Sequence, residues 1–196
     1  MPRSADTQAR ILDAAYRGFY RAGFVRVSMD DIAGAAGVTK RTLYQHYDSK
    51  DALLAAALES QREQSLRLVL EWGAGVSGVP ADLIRRVFDG MAAWAGRPRW
   101  LGSGYSRISL ELADMPGHPA RRVARVHKET VERWLAGEFQ RLGAPSPDRL
   151  ATETILMMEG SMLLALLHGD LRYFDVARDA MMGLSASSRR GGDAER

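Results

Sequence analysis

Apolar residues recur at three- and four-residue steps along almost the whole chain, and nothing shows the two-residue alternation of a sheet. Ile11, Ala14, Ala15, Gly18, Phe19 and Ala22 put one apolar face on a first helix, which Gly23 ends. Ser28 precedes a short helix whose apolar face is Ile32, Ala33 and Ala36. Its hydroxyl is placed to cap that helix, with Asp31 completing a capping box. Gly37 breaks the helix. Thr39 caps a third, running to about Tyr47, with Leu43 and Tyr47 four residues apart. Ser49 caps a longer fourth helix that starts with Leu53, Leu54, Ala57 and Leu58. The segment GAGVSGVP, residues 73–80, reads as a linker. Beyond it the period predicts helices near 80–96, 103–113, 119–142, 147–168 and 170–184, broken at GRPR, DMPGHP, GAPSP and HGD. Pro80 and Pro147 suit first-turn positions, with Ser146 as a cap. The tail, residues 185–196, is polar and glycine-rich and is expected to be disordered. The fold class is all-α with about nine helices.

One segment departs from the single apolar stripe of a surface helix. Residues 152–167, TETILMMEGSMLLALL, are apolar on nearly every side and should be covered twice, once by their own domain and once by a partner. Gly160 and Ser161 are small enough for close approach. The last helix, with Leu171, Phe174, Ala177, Met181 and Met182, should flank it. The expected dimer interface is Ile155, Met162, Leu163, Leu166, Leu167, Phe174 and Met181.

Charge sharpens the picture more than bulk composition does. The 196 residues are 46% hydrophobic and 26% charged, which is ordinary globular composition, with a net charge of +3. Residues 1–50 carry eight Lys or Arg against five Asp or Glu, whereas the other 146 carry nineteen of each. The whole excess therefore sits in the head, where a polyanion would be met. The absence of cysteine excludes disulfides and thiolate metal sites and fits a reducing cytoplasm. No run of 18 uncharged apolar residues suggests a membrane span, and MPRSADTQARILDAA meets charges too early for a signal peptide. The expected location is cytoplasmic, with no membrane partner.

The stretch SMDDIAGAAGVTKRTLYQHYDSK, residues 28–50, carries the chemistry. A short helix, a glycine turn and a second short helix make a helix-turn-helix. Ala33 is small where the helices approach, Gly37 can adopt the left-handed turn, and Val38 and Leu43 can lock the pair. The second helix presents Thr39, Lys40, Arg41, Thr42, Tyr44, Gln45 and His46. Arg can pair with guanine and Gln with adenine in the major groove; hydroxyls and Lys mostly bind phosphate. Lys50 lies in a helix's first turn, where a cation opposes the dipole, and a phosphate would offset that. The expected DNA contacts are Ser28, Thr39, Lys40, Arg41, Thr42, Tyr44, Gln45, His46 and Lys50. Tyr47 reads as core, and His46 is balanced between phosphate contact and packing.

The order IA-x-x-AGV-T-x-x-TLY-x-H-Y-x-SK-x-x-L resembles the DNA-binding head of the TetR/AcrR regulators. Ile32, Ala33, Ala36, Gly37, Val38, Leu43, Tyr44, His46, Lys50 and Leu53 stand at that family's positions, over about residues 7–58. Arg41 stands where a glycine is common, which leaves the operator sequence open; Tyr47 replaces a common phenylalanine and stays aromatic. The resemblance implies a DNA-binding domain over 1–50 and a ligand-binding and dimerisation domain over 51–184. It implies a homodimer whose last two long helices pair with a partner in a four-helix interface, double-stranded DNA with a pseudo-palindromic operator, and a small, largely apolar ligand that lowers operator affinity. Repression is the expected outcome.

Candidates for the ligand pocket are Phe88, Met91, Ala92, Trp94, Tyr105, Ile108, Leu112, His127, Val131, Trp134, Met158 and Met162, against the plainer reading that each is core. Glu159 faces either the dimer seam or the pocket. Arg121, Arg122, Arg125 and Lys128 read as a solvated face. No cofactor or metal is expected: His46, His118, His127 and His168 lack ligand spacing, and neither a phosphate-binding glycine loop nor a nucleophile elbow is present. The chain therefore reads as a regulator and not an enzyme. A DNA-binding or architectural protein without a small-molecule effector is the alternative.

Overall fold

A computed structural model describes residues 2–193, with side chains from 5 to 186. Its ten helices are α1 (Pro2–Ala22), α2 (Met29–Ala36), α3 (Lys40–His46), α4 (Lys50–Ser60), α5 (Arg62–Gly73), α6 (Pro80–Ala95), α7 (Gly104–Glu111), α8 (Pro119–Arg141), α9 (Pro147–His168) and α10 (Arg172–Asp193), and no strand forms among the described residues. The expected long fourth helix is divided at Gln61 into α4 and α5, which adds one element to the anticipated nine. The last helix does not stop at residue 184. Ser185 is buried, its hydroxyl donates to the Met182 carbonyl, and α10 runs on to Asp193, because no proline or paired glycine intervenes before Gly191. Residues 194–196 of the expected tail lie outside the described residues.

Contacts divide the chain into two units. Unit 1 is Met1–Gln64 with Ser103–His127; unit 2 is Ser65–Gly102 with Lys128–Arg196. The head of residues 1–50 is thus part of a larger compact body that also takes in α4, α7 and the start of α8. Unit 1 carries thirteen Lys or Arg against ten Asp or Glu, and unit 2 fourteen of each, so the entire positive excess still falls on the unit that holds the helix-turn-helix.

In unit 1 a single apolar cluster joins Ile11, Ala15 and Phe19 of α1, Ile32 and Ala33 of α2, Leu43 of α3, Leu53, Leu54 and Leu58 of α4, and Tyr105, Ile108 and Leu112 of α7. Tyr47 is buried in it, as expected of a core residue. Unit 2 has its own cluster around Leu83, Ile84, Val87 and Phe88 of α6, Leu135 and Phe139 of α8, Met158 of α9, and Phe174 and Met181 of α10. Arg178 ties α10 to α6 through Asp89 at 2.8 Å and is also bonded to Asp179; both bonds push its pKa up. Lys128 of α8 pairs with Glu159 of α9 at 2.5 Å, half-buried on both sides. That pair joins α8 to α9 within unit 2. Pro80 and Pro147 open α6 and α9 as expected. Ser146 makes no side-chain cap bond to α9, so the proline opens that helix without the expected cap.

Packing in unit 2 depends on one absent side chain. A Cβ at Gly90 of α6 would lie 2.4 Å from the Trp72 ring, whereas one at Gly137 of α8 would meet nothing within 4 Å. Gly90→Ala should lower stability by about 1–3 kcal/mol through overpacking. Gly137→Ala should raise it by up to about 1 kcal/mol through helix propensity. Urea unfolding of both variants checks the pair; equal midpoints would contradict the packing.

Candidate nucleic-acid interface

The local chemistry of residues 28–50 forms as the sequence dictates. The Ser28 hydroxyl accepts from the Asp31 N–H at 3.1 Å, and the Asp31 carboxylate accepts from the Ser28 N–H at 2.9 Å. Those bonds to Ser28 hold the Asp31 carboxyl below its usual range. The Ser28 hydroxyl proton goes to the same carboxylate at 2.7 Å. Ser28, expected among the DNA contacts, thus has its hydroxyl and its N–H engaged in the capping box of α2.

Gly37 ends α2 with φ 64°, a left-handed conformation that a side chain would strain. A Cβ would also come within 2.8 Å of an Arg10 guanidinium nitrogen and would push that group aside. That guanidinium donates to the carbonyls of Ala36 at 2.5 Å and Gly37 at 3.0 Å. Arg10 was not foreseen as a structural partner of this turn, because it stands 26 residues away with no local signal.

Thr39 caps α3, accepting from the Thr42 N–H at 3.1 Å, and the two hydroxyls meet at 2.8 Å. Leu43 is fully buried, so the opposite face of α3 points outward. Arg41, Tyr44 and Gln45 are exposed on it, and Thr42 and His46 are half-buried. Arg41 makes no hydrogen bond or ion pair among the described residues. Lys40 pairs with Asp30 of α2 at 3.0 Å, and that bond raises its pKa. Both partners are more than half exposed, so the pair can open toward a phosphate at little cost. His46 stands 6.4 Å from the Tyr47 ring. Lys50 is half-buried. Its ammonium sits 4.3 Å from the Phe24 ring centroid and 3.4 Å from the Val25 carbonyl, an internal role that the sequence did not announce.

The pocket candidates are not brought together in one cluster. Tyr105, Ile108 and Leu112 belong to the unit 1 core; Phe88, Met91, Val131, Met158 and Met162 are buried in the unit 2 core, with Ala92, Trp94 and Trp134 packed against it. His127 stacks on Tyr105 at 3.9 Å and 14°, in unit 1. The two described cavities are lined by other residues: one of about 10 Å³ in unit 1 shares only Ile108 with the set, and one of about 200 Å³ in unit 2 lies between Pro80, Leu150 and Leu184 and shares none. The candidates thus fall in two clusters, one in each unit.

The dimer set also divides. Leu163, Leu166 and Leu167 are exposed, and Ile155 is half-buried. Met162, Phe174 and Met181 are buried against unit 2's own core, Phe174 and Met181 on the inner side of α10.

The family model for bacterial regulatory proteins of the tetR family matches residues 11–57. Against the regulator TtgR of Pseudomonas putida the chain is 43% identical over 58 residues, a match that spans 28% of that protein. Against the transcriptional repressor SCO4008 of Streptomyces coelicolor it is 32% identical over 151 residues, covering 74% of this chain and 72% of the relative. The crystal structure of the tetR transcriptional regulator sav143 of Streptomyces avermitilis superposes with a TM-score of 0.75 at 33% identity, over 89% of this chain and 97% of that one. The likeness thus extends well beyond the helix-turn-helix.

Removing the cap should separate scaffold from contact. Ser28→Ala should cost about 1 kcal/mol of stability. It should leave the operator affinity of the folded protein within about twofold of the parent; a larger loss shared by all sequences would make Ser28 a phosphate contact.

Proposed function

The chain belongs to the TetR family of bacterial regulators, and from that premise we propose that it is a homodimeric, cytoplasmic repressor released from its operator by a small molecule. The observation that supports DNA reading is the outward face of α3, where Arg41, Tyr44 and Gln45 are exposed around a buried Leu43. In this reading Arg41 and Gln45 read base edges, while Thr39, Lys40, Thr42, Tyr44 and His46 set the register on phosphates. Lys50 contributes to the phosphate field from the start of α4.

Dimerisation is supported by α9. That helix is long and apolar enough to cross a membrane by composition. One side, with Leu150, Ala151, Met158, Met162 and Ala165, is buried in unit 2. Leu156, Leu163 and Leu167 on the rest of its surface are 66%, 52% and 70% exposed. Val176 and Leu184 of α10 are exposed as well. A second copy presenting the same helices would cover these residues, and two heads would meet a pseudo-palindrome.

Effector binding is supported by an unused donor. Trp100's indole N–H is buried without a hydrogen-bond partner, in a row of rings running Trp72, Trp94, Trp100 and Phe174 with neighbouring centroids 5.6–6.2 Å apart. A flat apolar molecule carrying one acceptor suits that wall. Release follows if such a molecule binds the non-operator state more tightly.

Arg41→Ala should weaken operator binding by roughly 1–3 kcal/mol and relax preference at one base pair. Tyr44→Phe should weaken all sequences alike. Anisotropy titrations on the selected operator and its single-base variants check both; a sequence shift from Tyr44→Phe with none from Arg41→Ala would reverse the two roles.

Leu163→Arg and Leu167→Arg should each give folded monomers by light scattering, since an unpaired charge in the seam costs about 3–5 kcal/mol. Operator affinity should fall with the dimer, by roughly a hundredfold. Folded dimers from both variants would place the interface elsewhere.

A further inference from the structure

Helix α7 enters unit 1 from the middle of the chain, and three of its side chains bond to the backbone of α1, of the α1–α2 turn and of α4. Glu111, in its last turn, accepts from the Phe24 N–H and the Val25 N–H, one on each carboxylate oxygen, both at 2.9 Å. One turn earlier Arg107 donates to the Tyr20 carbonyl at 2.5 Å, in the last turn of α1. Tyr105 donates to the Leu58 carbonyl at 3.1 Å, in the last turn of α4. Gly23, at φ 86°, completes the fit, since a Cβ there would lie 3.0 Å from a Glu111 oxygen. Lys50 holds the opposite edge of the same turn through the Val25 carbonyl and the Phe24 ring.

This turn is the joint between α1 and α2. A helix leaves its last carbonyls without intrahelical donors, and the turn that follows leaves N–H groups without acceptors. Arg107 and Glu111 supply both kinds of partner by charge-assisted bonds, which are the stronger ones. Arg10 fixes the far end of α2 through Ala36 and Gly37. Bonds therefore hold the turn leading into α2 and the far end of α2 itself, and together they constrain how the α2–α3 pair stands on α1. The Val25 N–H is exposed, so water can replace the carboxylate there. Loss of Glu111 would therefore loosen the joint before it unfolds the unit.

We propose that Glu111, assisted by Arg107, is a positioning residue for operator recognition, acting on the recognition helix through the α1–α2 turn and not on DNA. The proposal rests on the DNA-binding reading above and adds to it a residue 70 positions along the chain from Arg41.

The test uses the full chain with Glu111→Ala and Glu111→Gln. The glutamine keeps one acceptor oxygen. Operator affinity is measured by anisotropy, folding by urea titration, and exchange of the Phe24 and Val25 amides by NMR without DNA. Glu111→Ala, under conditions where it is folded, should bind about tenfold more weakly. Glu111→Gln should fall between it and the parent, and exchange at Phe24 and Val25 should quicken in the same order. A structural role alone would lower the urea midpoint without this graded affinity in folded protein. Affinity within twofold of the parent in folded Glu111→Ala would overturn the proposal. So would weakened binding with unchanged exchange at the two amides. If Glu111→Ala does not fold, unchanged affinity and exchange in Glu111→Gln would overturn it instead. A parent chain that bound no operator would refute the DNA-binding reading, whereas the exchange measurement would still decide whether the joint depends on Glu111.

Discussion

The helix-turn-helix depends on satisfying backbone groups that its own short helices leave open. Eight residues of α2 and seven of α3 are too few to stand unaided, and the tight turn between them exposes the Ala36 and Gly37 carbonyls. Arg10 meets both from one guanidinium, which occupies the space a side chain at position 37 would need. Capping boxes and cap hydroxyls at Ser28, Thr39 and Ser49 satisfy the other ends. The exposed donors of α3 owe their fixed geometry to these unexposed bonds.

Two apolar cores divide the work. The unit 1 core buries one face of every head helix and takes in α7, so the reading surface stands on a body larger than the motif itself. The positive charge follows that division. The unit 2 core is built around α6, α9 and α10, where the absence of a side chain at Gly90 lets Trp72 lie directly on α6. The chain passes between the units three times, at residues 64–65 within α5, 102–103 in the loop before α7, and 127–128 within α8.

Helix α9 shows how one composition can serve two surfaces. Its buried side includes Thr154 and Ser161, whose hydroxyls donate to carbonyls of their own helix at 2.7 and 3.0 Å and so enter the core without an unmet donor. Its outer leucines have no such internal partner. The long run of apolar residues is therefore the sum of a core stripe and an uncovered stripe, and the exposure of each residue separates them.

Much of this was legible in the sequence. The helices and their breaks follow from period, proline and glycine; the capping box at Ser28, the turn at Gly37 and the buried Leu43 and Tyr47 follow from residue types a few positions apart. These are local constraints, and hydrogen bonds spanning three or four residues enforce them wherever the segment lies. The motif's resemblance to a family extended the same reading to function. Residue spacing could not show that Ser28's proton goes to Asp31, that Lys50 lies over Phe24, or that Phe174 and Met181 face inward while Leu163 and Leu167 face out. Nor could it show that Tyr105 and His127 join the head's core while Phe88 and Met91 join the other, or that Glu111 closes a turn 86 residues away. An amphipathic period says which residues share a face but not what covers that face. Only the tertiary structure decides that, because contacts between distant segments depend on where the chain returns and not on how it begins.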